Sequence, residues 1–188
     1  MTVIRLLLSA SVMLPLLAGC LGYPDNVRPV AGFDLSRYLG TWYEIARLDH
    51  SFERGLSDVS AKYTLRDDGG VKVRNRGYAP DSGQWKEADG KAYFVEGADH
   101  GYLKVSFFGP FYGSYVIFEL DADDYEYAFV CGPNRSYLWL LARRTEVPAE
   151  LKARFVERAR GLGFDVSRLI WVNHGSPAKS RSSTNPGS

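Results

Sequence analysis

Between Trp42 and Arg143 the chain passes through a succession of short β-like runs, each closed by a turn, with no helix-length pattern among them. Trp42 to Leu48 is the first. Val59, Ala61, Tyr63 and Leu65 then alternate with Ser60, Lys62, Thr64 and Arg66, the period-two pattern of a half-buried strand. Further runs are Val71 to Tyr78, Lys91 to Gly97, Tyr102 to Phe108, Gly113 to Leu120, Tyr125 to Cys131 and Tyr137 to Arg143. Asp67-Asp68-Gly69-Gly70, Pro80-Asp81-Ser82-Gly83, Asp89-Gly90, Gly109-Pro110 and Gly132-Pro133-Asn134-Arg135 read as breaks, and the stretch between Gly83 and Asp89 is ambiguous. Eight strands with short connections predict an antiparallel barrel or sandwich. Closing such a sheet also removes its exposed edges.

One helix follows. Pro148 suits its first position, and Leu151, Phe155, Ala159 and Leu162 recur at helical spacing, opposite Lys152, Arg154, Glu157 and Arg158. Gly161 and Gly163 supply the stop, and Arg168 to Val172 reads as one more short strand. The expected class is therefore all-β with one α-helix, the helix laying its apolar stripe on the outside of the barrel. There is no internal repeat and no second domain.

The charge balance narrows the function. Lys plus Arg is 23 and Asp plus Glu is 22, so no cationic excess is available to track phosphates, and nucleic acid is not the expected partner. Two cysteines and three histidines make neither a disulfide framework nor a dedicated zinc site, and no metal or cofactor is expected.

The N-terminus reads as an address. A charged start ending at Arg5 precedes the apolar stretch Leu6 to Ala18, too short to span a bilayer, which needs ~20 residues, but suited to a signal peptide. Leu17-Ala18-Gly19-Cys20 resembles the bacterial lipobox. That resemblance implies cleavage before Cys20, acylation of Cys20 and membrane attachment through it, and Leu21 in the next position implies the outer membrane, on its periplasmic face. The expected division is residues 1–19 as signal peptide, 20–32 as acylated tether, 33–174 as barrel with helix and final strand, and 175–188 as a flexible Ser-, Pro- and Gly-rich tail.

Gly40-Thr41-Trp42-Tyr43-Glu44 opens the first strand, Asp123-Asp124-Tyr125 occupies the turn before the seventh, and Tyr-Leu-Trp-Leu-Leu-Ala-Arg ends at Arg143. In this order the three segments resemble the lipocalin family. The turn usually reads Thr-Asp-Tyr there, so Asp123 is a departure, though it keeps a side-chain acceptor at the turn. The segments Arg37 to Glu53, Leu65 to Gly70, Lys104 to Gly113, Val130 to Pro133 and Leu169 to Val172 are similar to bacterial outer-membrane lipocalins. The resemblance implies an eight-stranded up-and-down barrel with a cup-like cavity, and a role in binding or moving lipids for envelope maintenance. It also leaves a homodimer open. Within the motif, Gly40, Trp42 and Arg143 are expected to determine the fold: Trp42 plugs the closed end, and Arg143 rather than Arg144 lies over it, because Tyr137, Trp139, Leu141 and Arg143 share a face.

Taking alternate positions as inward assigns Val59, Ala61 and Tyr63, Tyr93 and Val95, Leu103, Val105 and Phe107, Tyr115 and Ile117, Tyr127 and Phe129, and Trp139 to the cavity. Apolar bodies with a few hydroxyl or indole tips suit a fatty acid or lysophospholipid. A single bulge would reverse the face of a whole strand. Glu44 and Arg47 are expected on opposite faces, as a surface ion pair or as a contact to a lipid head group. Two other readings compete. Asp49-His50 with Cys131 would be an acid–base pair and nucleophile for a lipid-modifying enzyme, but no nucleophile signature surrounds them, so no catalytic residue is assigned. A tetrapyrrole binder would want an axial ligand inside the barrel, and none of the three histidines lies within one of the predicted strands.

Overall fold

The computed structural model describes residues 21–175. A short helix, α1 (Leu35–Tyr38), leads into β1 (Gly40–Leu48), β2 (Ser57–Leu65), β3 (Val71–Ala79), β4 (Gln84–Phe94), β5 (Tyr102–Phe108), β6 (Phe111–Leu120), β7 (Tyr127–Cys131) and β8 (Leu138–Ala142), followed by α2 (Ala149–Gly161) and β9 (Leu169–Trp171). Each of β1 to β8 pairs antiparallel with the next, and β8 returns to β1, so the sheet closes into an eight-stranded up-and-down barrel. The lipobox, Cys20, the signal segment and residues 176–188 lie outside the described residues.

The ambiguous stretch resolves into strand. β4 begins at Gln84 and runs unbroken through Asp89-Gly90, opposite β3 from Ala79 to Val71. Gly90 is not a turn residue there. A Cβ at Gly90 would stand 2.8 Å from the Phe107 ring and 2.9 Å from the Ser106 carbonyl, so the glycine makes room for β5. Asp89 stays in register by pairing with Arg74 across the strands.

β1 carries most of the irregularity. It pairs with β2 only over Gly40 to Tyr43, and β9 occupies the same edge from Ala46 to Leu48. The splayed edge is sealed by backbone bonds from Val172 to Ile45 and from Asp58 to Asn173, and by His174, whose Nε2 donates to the Glu44 carbonyl at 2.8 Å. Backbone groups that would otherwise be orphaned at the divergence are satisfied in this way.

α2 covers the outside of the barrel. Phe155 and Ala159 are fully buried, and Phe155 meets Phe129 edge-on with centroids 5.0 Å apart. The segment from Tyr23 to Gly32, expected as a tether, is instead laid along the wall of β5 and β6. Val27 is fully buried, Tyr23 packs edge-on against Tyr102, and Val30 donates to the Ile117 carbonyl. Burial of these apolar side chains offsets the entropy of ordering a proline-containing segment.

Candidate functional site: a closed-end floor and an open mouth

The closed end is built on Trp42. Its indole Nε1 donates to the Tyr38 carbonyl at 2.8 Å, and the Tyr38 ring stacks on it. The Arg143 guanidinium lies 4.0 Å from the Trp42 ring centroid and donates to the carbonyls of Thr41, Arg37 and Tyr125. Gly40 has φ +97°, a backbone conformation that suits glycine, and it lies against Arg143 Nη1. Above this plug, Tyr115 shares hydrogen bonds with the hydroxyls of Tyr38 (2.7 Å) and Tyr63 (2.9 Å). Burial pushes all three phenols up, so they stay neutral and available as donors.

An apolar chamber of about 100 Å³ sits on this floor, next to a wider mouth of about 650 Å³. Phe52, Glu53, Val59, Asn75, Val105 and Phe107 border both spaces, so the two adjoin. The chamber alone is smaller than a typical ligand pocket of ~300–1,000 Å³, whereas chamber and mouth together fall within that range. The space is narrow at the floor and wider at the mouth.

A buried charge cluster backs part of the chamber wall at Glu44, Glu53 and Trp139. Arg47 Nη1 donates to Glu44 Oε1 at 2.6 Å, and Nη2 donates to the Glu53 carbonyl. Glu53 Oε2 accepts from Trp139 Nε1 at 3.2 Å and stands 3.3 Å from His50 Nε2. Burial, reinforced by the Glu53 charge, pushes Glu44 well above the ordinary carboxylate range, with Arg47 opposing. Burial also raises Glu53, against its bonds to Trp139 and Glu44. Burial and then the Arg47 charge hold His50 down to about 4, so its imidazole is neutral at pH 7. Glu44 and Arg47 were expected on opposite faces. A register shift between Glu44 and Ala46 turns both inward.

Of the residues expected inside, Val59, Ala61, Tyr63, Leu103, Val105, Phe107, Tyr115 and Trp139 line the chamber. Ile117 also points inward, but it is packed among the floor residues. Four assignments are corrected. Tyr93 faces outward and donates its hydroxyl to Asp68, because the long pairing of β3 with β4 places Ala92 inside. Val95 lies just past the end of β4 and is exposed. Tyr127 and Phe129 face α2, while Ala128 and Val130 point into the barrel. With a helix on one side and the floor on the other, β7 is apolar on both faces, and alternation cannot choose between them.

Several lining residues escaped the sequence reading. Val71, Val73 and Leu141 carried an alternation signal that could have placed them inside. Phe33, Leu35 and Tyr38 come from the N-terminal segment, and Phe52 and Glu53 from the β1–β2 loop, where no periodicity exists to read. The residues weighed for catalysis are not brought together. Asp49 pairs with Arg54 at 2.9 Å, His50 packs on Phe52 and Trp139, and Cys131 faces outward into the core beneath α2, where burial pushes its thiol up to about 12.

Comparison with known proteins gives a consistent picture. Residues 33–174 match the family model described as a lipocalin-like domain. The outer membrane lipoprotein Blc of Vibrio cholerae is 62% identical over 157 residues, covering 84% of this chain and 92% of that protein. Its Escherichia coli namesake is 55% identical over 149 residues, covering 79% and 84%. Among solved structures, insecticyanin from the tobacco hornworm Manduca sexta superposes with a TM-score of 0.65 at 22% identity, covering 84% of this chain and 88% of that one.

Proposed function

Because this chain belongs to the lipocalin family, we propose that it is a lipid-anchored protein of the outer membrane that carries a fatty acid or lysophospholipid in its barrel for envelope maintenance. Its relatives in Vibrio cholerae and Escherichia coli are named outer membrane lipoproteins, in keeping with Leu-Ala-Gly-Cys ending at Cys20. In this reading residues 1–19 are removed and Cys20 carries the acyl anchor.

The observation that carries the reading is the apolar chamber adjoining a wider mouth. An acyl chain lies among Leu103, Val105 and Tyr115 and along Trp139, with its polar end towards the mouth. Sixteen buried methylenes contribute roughly 13 kcal/mol at ~0.8 each. Association costs of ~4–15 kcal/mol oppose this. Micromolar binding, ~8 kcal/mol, follows from a cost of ~5 kcal/mol, near the lower end of that range. The protein holds its cargo without altering it. Cys131 is a buried, protonated thiol on the far side of the wall, and the Asp49 carboxylate is engaged by Arg54.

Native mass spectrometry of the full acylated protein in detergent, offered palmitate and a lysophospholipid, tests this. A one-to-one complex that is lost in Ala61→Trp, which fills the chamber, supports carriage. A folded barrel that takes up neither lipid refutes it.

A further inference from the structure

The chamber floor is apolar except for three phenol hydroxyls. Tyr38, Tyr63 and Tyr115 come from α1, β2 and β6, and all three line the chamber. Around them Phe33, Val71, Ala92 and Leu103 offer no polar side-chain atom. The Tyr38 ring is clamped between Trp42 and Tyr63, with centroids 4.6 and 5.4 Å away, so the hydroxyls are held in place before any ligand arrives. Tyr115 is only half-buried although it points into the barrel, so its accessible surface faces the chamber.

The donors of this trio outnumber their acceptors. Tyr115 Oη lies 2.7 Å from Tyr38 Oη and 2.9 Å from Tyr63 Oη, and the three oxygens have no other hydrogen-bond partner among the described residues. Two contacts use two of the three O–H groups, so one donor is left over whichever way the protons are arranged. Phenylalanines would fill the same floor without that cost, because a hydroxyl cut off from water is penalised when it is unpaired. A saturated chain entering methyl-first seals the spare donor beneath it. A chain with an oxygen at that end gives it an acceptor. The oxygen must be a neutral one. Among the described residues no Lys or Arg lines the chamber, whereas Glu44 and Glu53 do, so a carboxylate at the floor would meet no counter-charge. Arg143 does not supply one: it lies on Trp42 and donates to backbone carbonyls.

We infer that the floor formed by Tyr38, Tyr63 and Tyr115 selects acyl chains that carry a hydroxyl or keto oxygen at, or next to, the end remote from the carboxylate. The inference rests on the reading of the barrel as a fatty-acid carrier and adds which chains it prefers. A hydroxyl serves the trio both as acceptor and as donor, and a ketone serves as acceptor alone. Either exchanges its bond to water for a bond to a phenol, which a methyl group cannot do.

The test offers palmitate and ω-hydroxypalmitate together to the full acylated protein in detergent and identifies the bound ligand by native mass spectrometry. The wild type should favour ω-hydroxypalmitate by ~tenfold, the worth of about one buried hydrogen bond. Tyr38→Phe, Tyr63→Phe and Tyr115→Phe combined remove all three donors and should reverse the preference, because an apolar floor strands the ligand hydroxyl. Tyr115→Phe alone frees both outer hydroxyls and should keep it. Equal uptake by the wild type, a preference for palmitate, or a preference that survives the triple replacement overturns the inference and leaves carriage standing. Uptake of neither lipid refutes carriage, and the inference with it. One reading needs no variant. Palmitate bearing an isotopically labelled ketone one carbon from its methyl end should show, once bound to the wild type, a carbonyl stretch lowered by hydrogen bonding. A stretch at the frequency found in hydrocarbon solvent overturns the inference.

Discussion

Arg47 and Glu44, three residues apart on one strand, form an ion pair of 2.6 Å with both side chains sealed inside the barrel wall. Regular alternation forbids this arrangement, and the β1 bulge produces it. Removing one partner leaves an uncompensated buried charge, a loss of ~3–5 kcal/mol. Arg47→Met should cost up to about that in urea unfolding, because it also leaves the Glu53 carbonyl without its guanidinium donor. Combining it with Glu44→Leu should recover part of the loss. A single-variant loss below ~1 kcal/mol, the range of exposed pairs, would sink this account.

His50 makes stability depend on pH. In the unfolded chain it takes up a proton near 6.5, and in the folded protein only near 4. The unfolded state thus binds more protons between those values, so the His50 contribution is full above about 6.5 and falls as the pH drops towards about 4. At 1.36 kcal/mol per unit, reduced for partial solvent access, the loss is ~2–3 kcal/mol. Glu44 and Glu53, raised by burial, act in the opposite direction in both proteins compared. The difference in stability between wild type and His50→Gln should therefore shrink or reverse on acidification across that window, and a pH-independent difference would contradict it.

Arg143 joins three backbone carbonyls to the Trp42 face. Arg143→Ala should lower stability by ~3 kcal/mol or more, from a cation–π contact of ~1–2 kcal/mol and hydrogen bonds of ~1 kcal/mol each. Arg143→Lys should recover little, since a point charge cannot reach three carbonyls at once. Full rescue by lysine in thermal unfolding would show that charge alone suffices.

Cys131 should not react with iodoacetamide at pH 8 in the folded protein, because it is fully buried and its thiol is pushed up to about 12. Labelling should appear only with unfolding, at a rate that follows denaturant. Rapid labelling under native conditions would mean that α2 opens away from β7.

Trp139 borders the chamber and also donates to Glu53. Trp139→Ala should weaken lipid binding more than Trp139→Phe, which keeps the wall but leaves Glu53 Oε2 without its indole donor. Equal affinities in a fluorescent fatty-acid displacement assay would remove the ring from the binding surface.

Alternation along β2 and β5, the turn residues between strands, and the helical spacing of Leu151, Phe155 and Ala159 are local signals, and each determined its own element and face. The motif Gly40, Trp42 and Arg143 likewise determined the closed end. Tertiary structure decided what alternation cannot express. Pairing with β3 carried β4 through Gly90 and turned Tyr93 outward. A bulge set Glu44 and Arg47 on the same side, and α2 claimed Phe129 for its own underside. The tether-like segment became part of the wall because its apolar residues found a surface there. Period-two patterning reports which side of a strand is dry. In a barrel whose outer face is also covered, both sides are dry, and only register and neighbouring elements choose which residues meet the ligand.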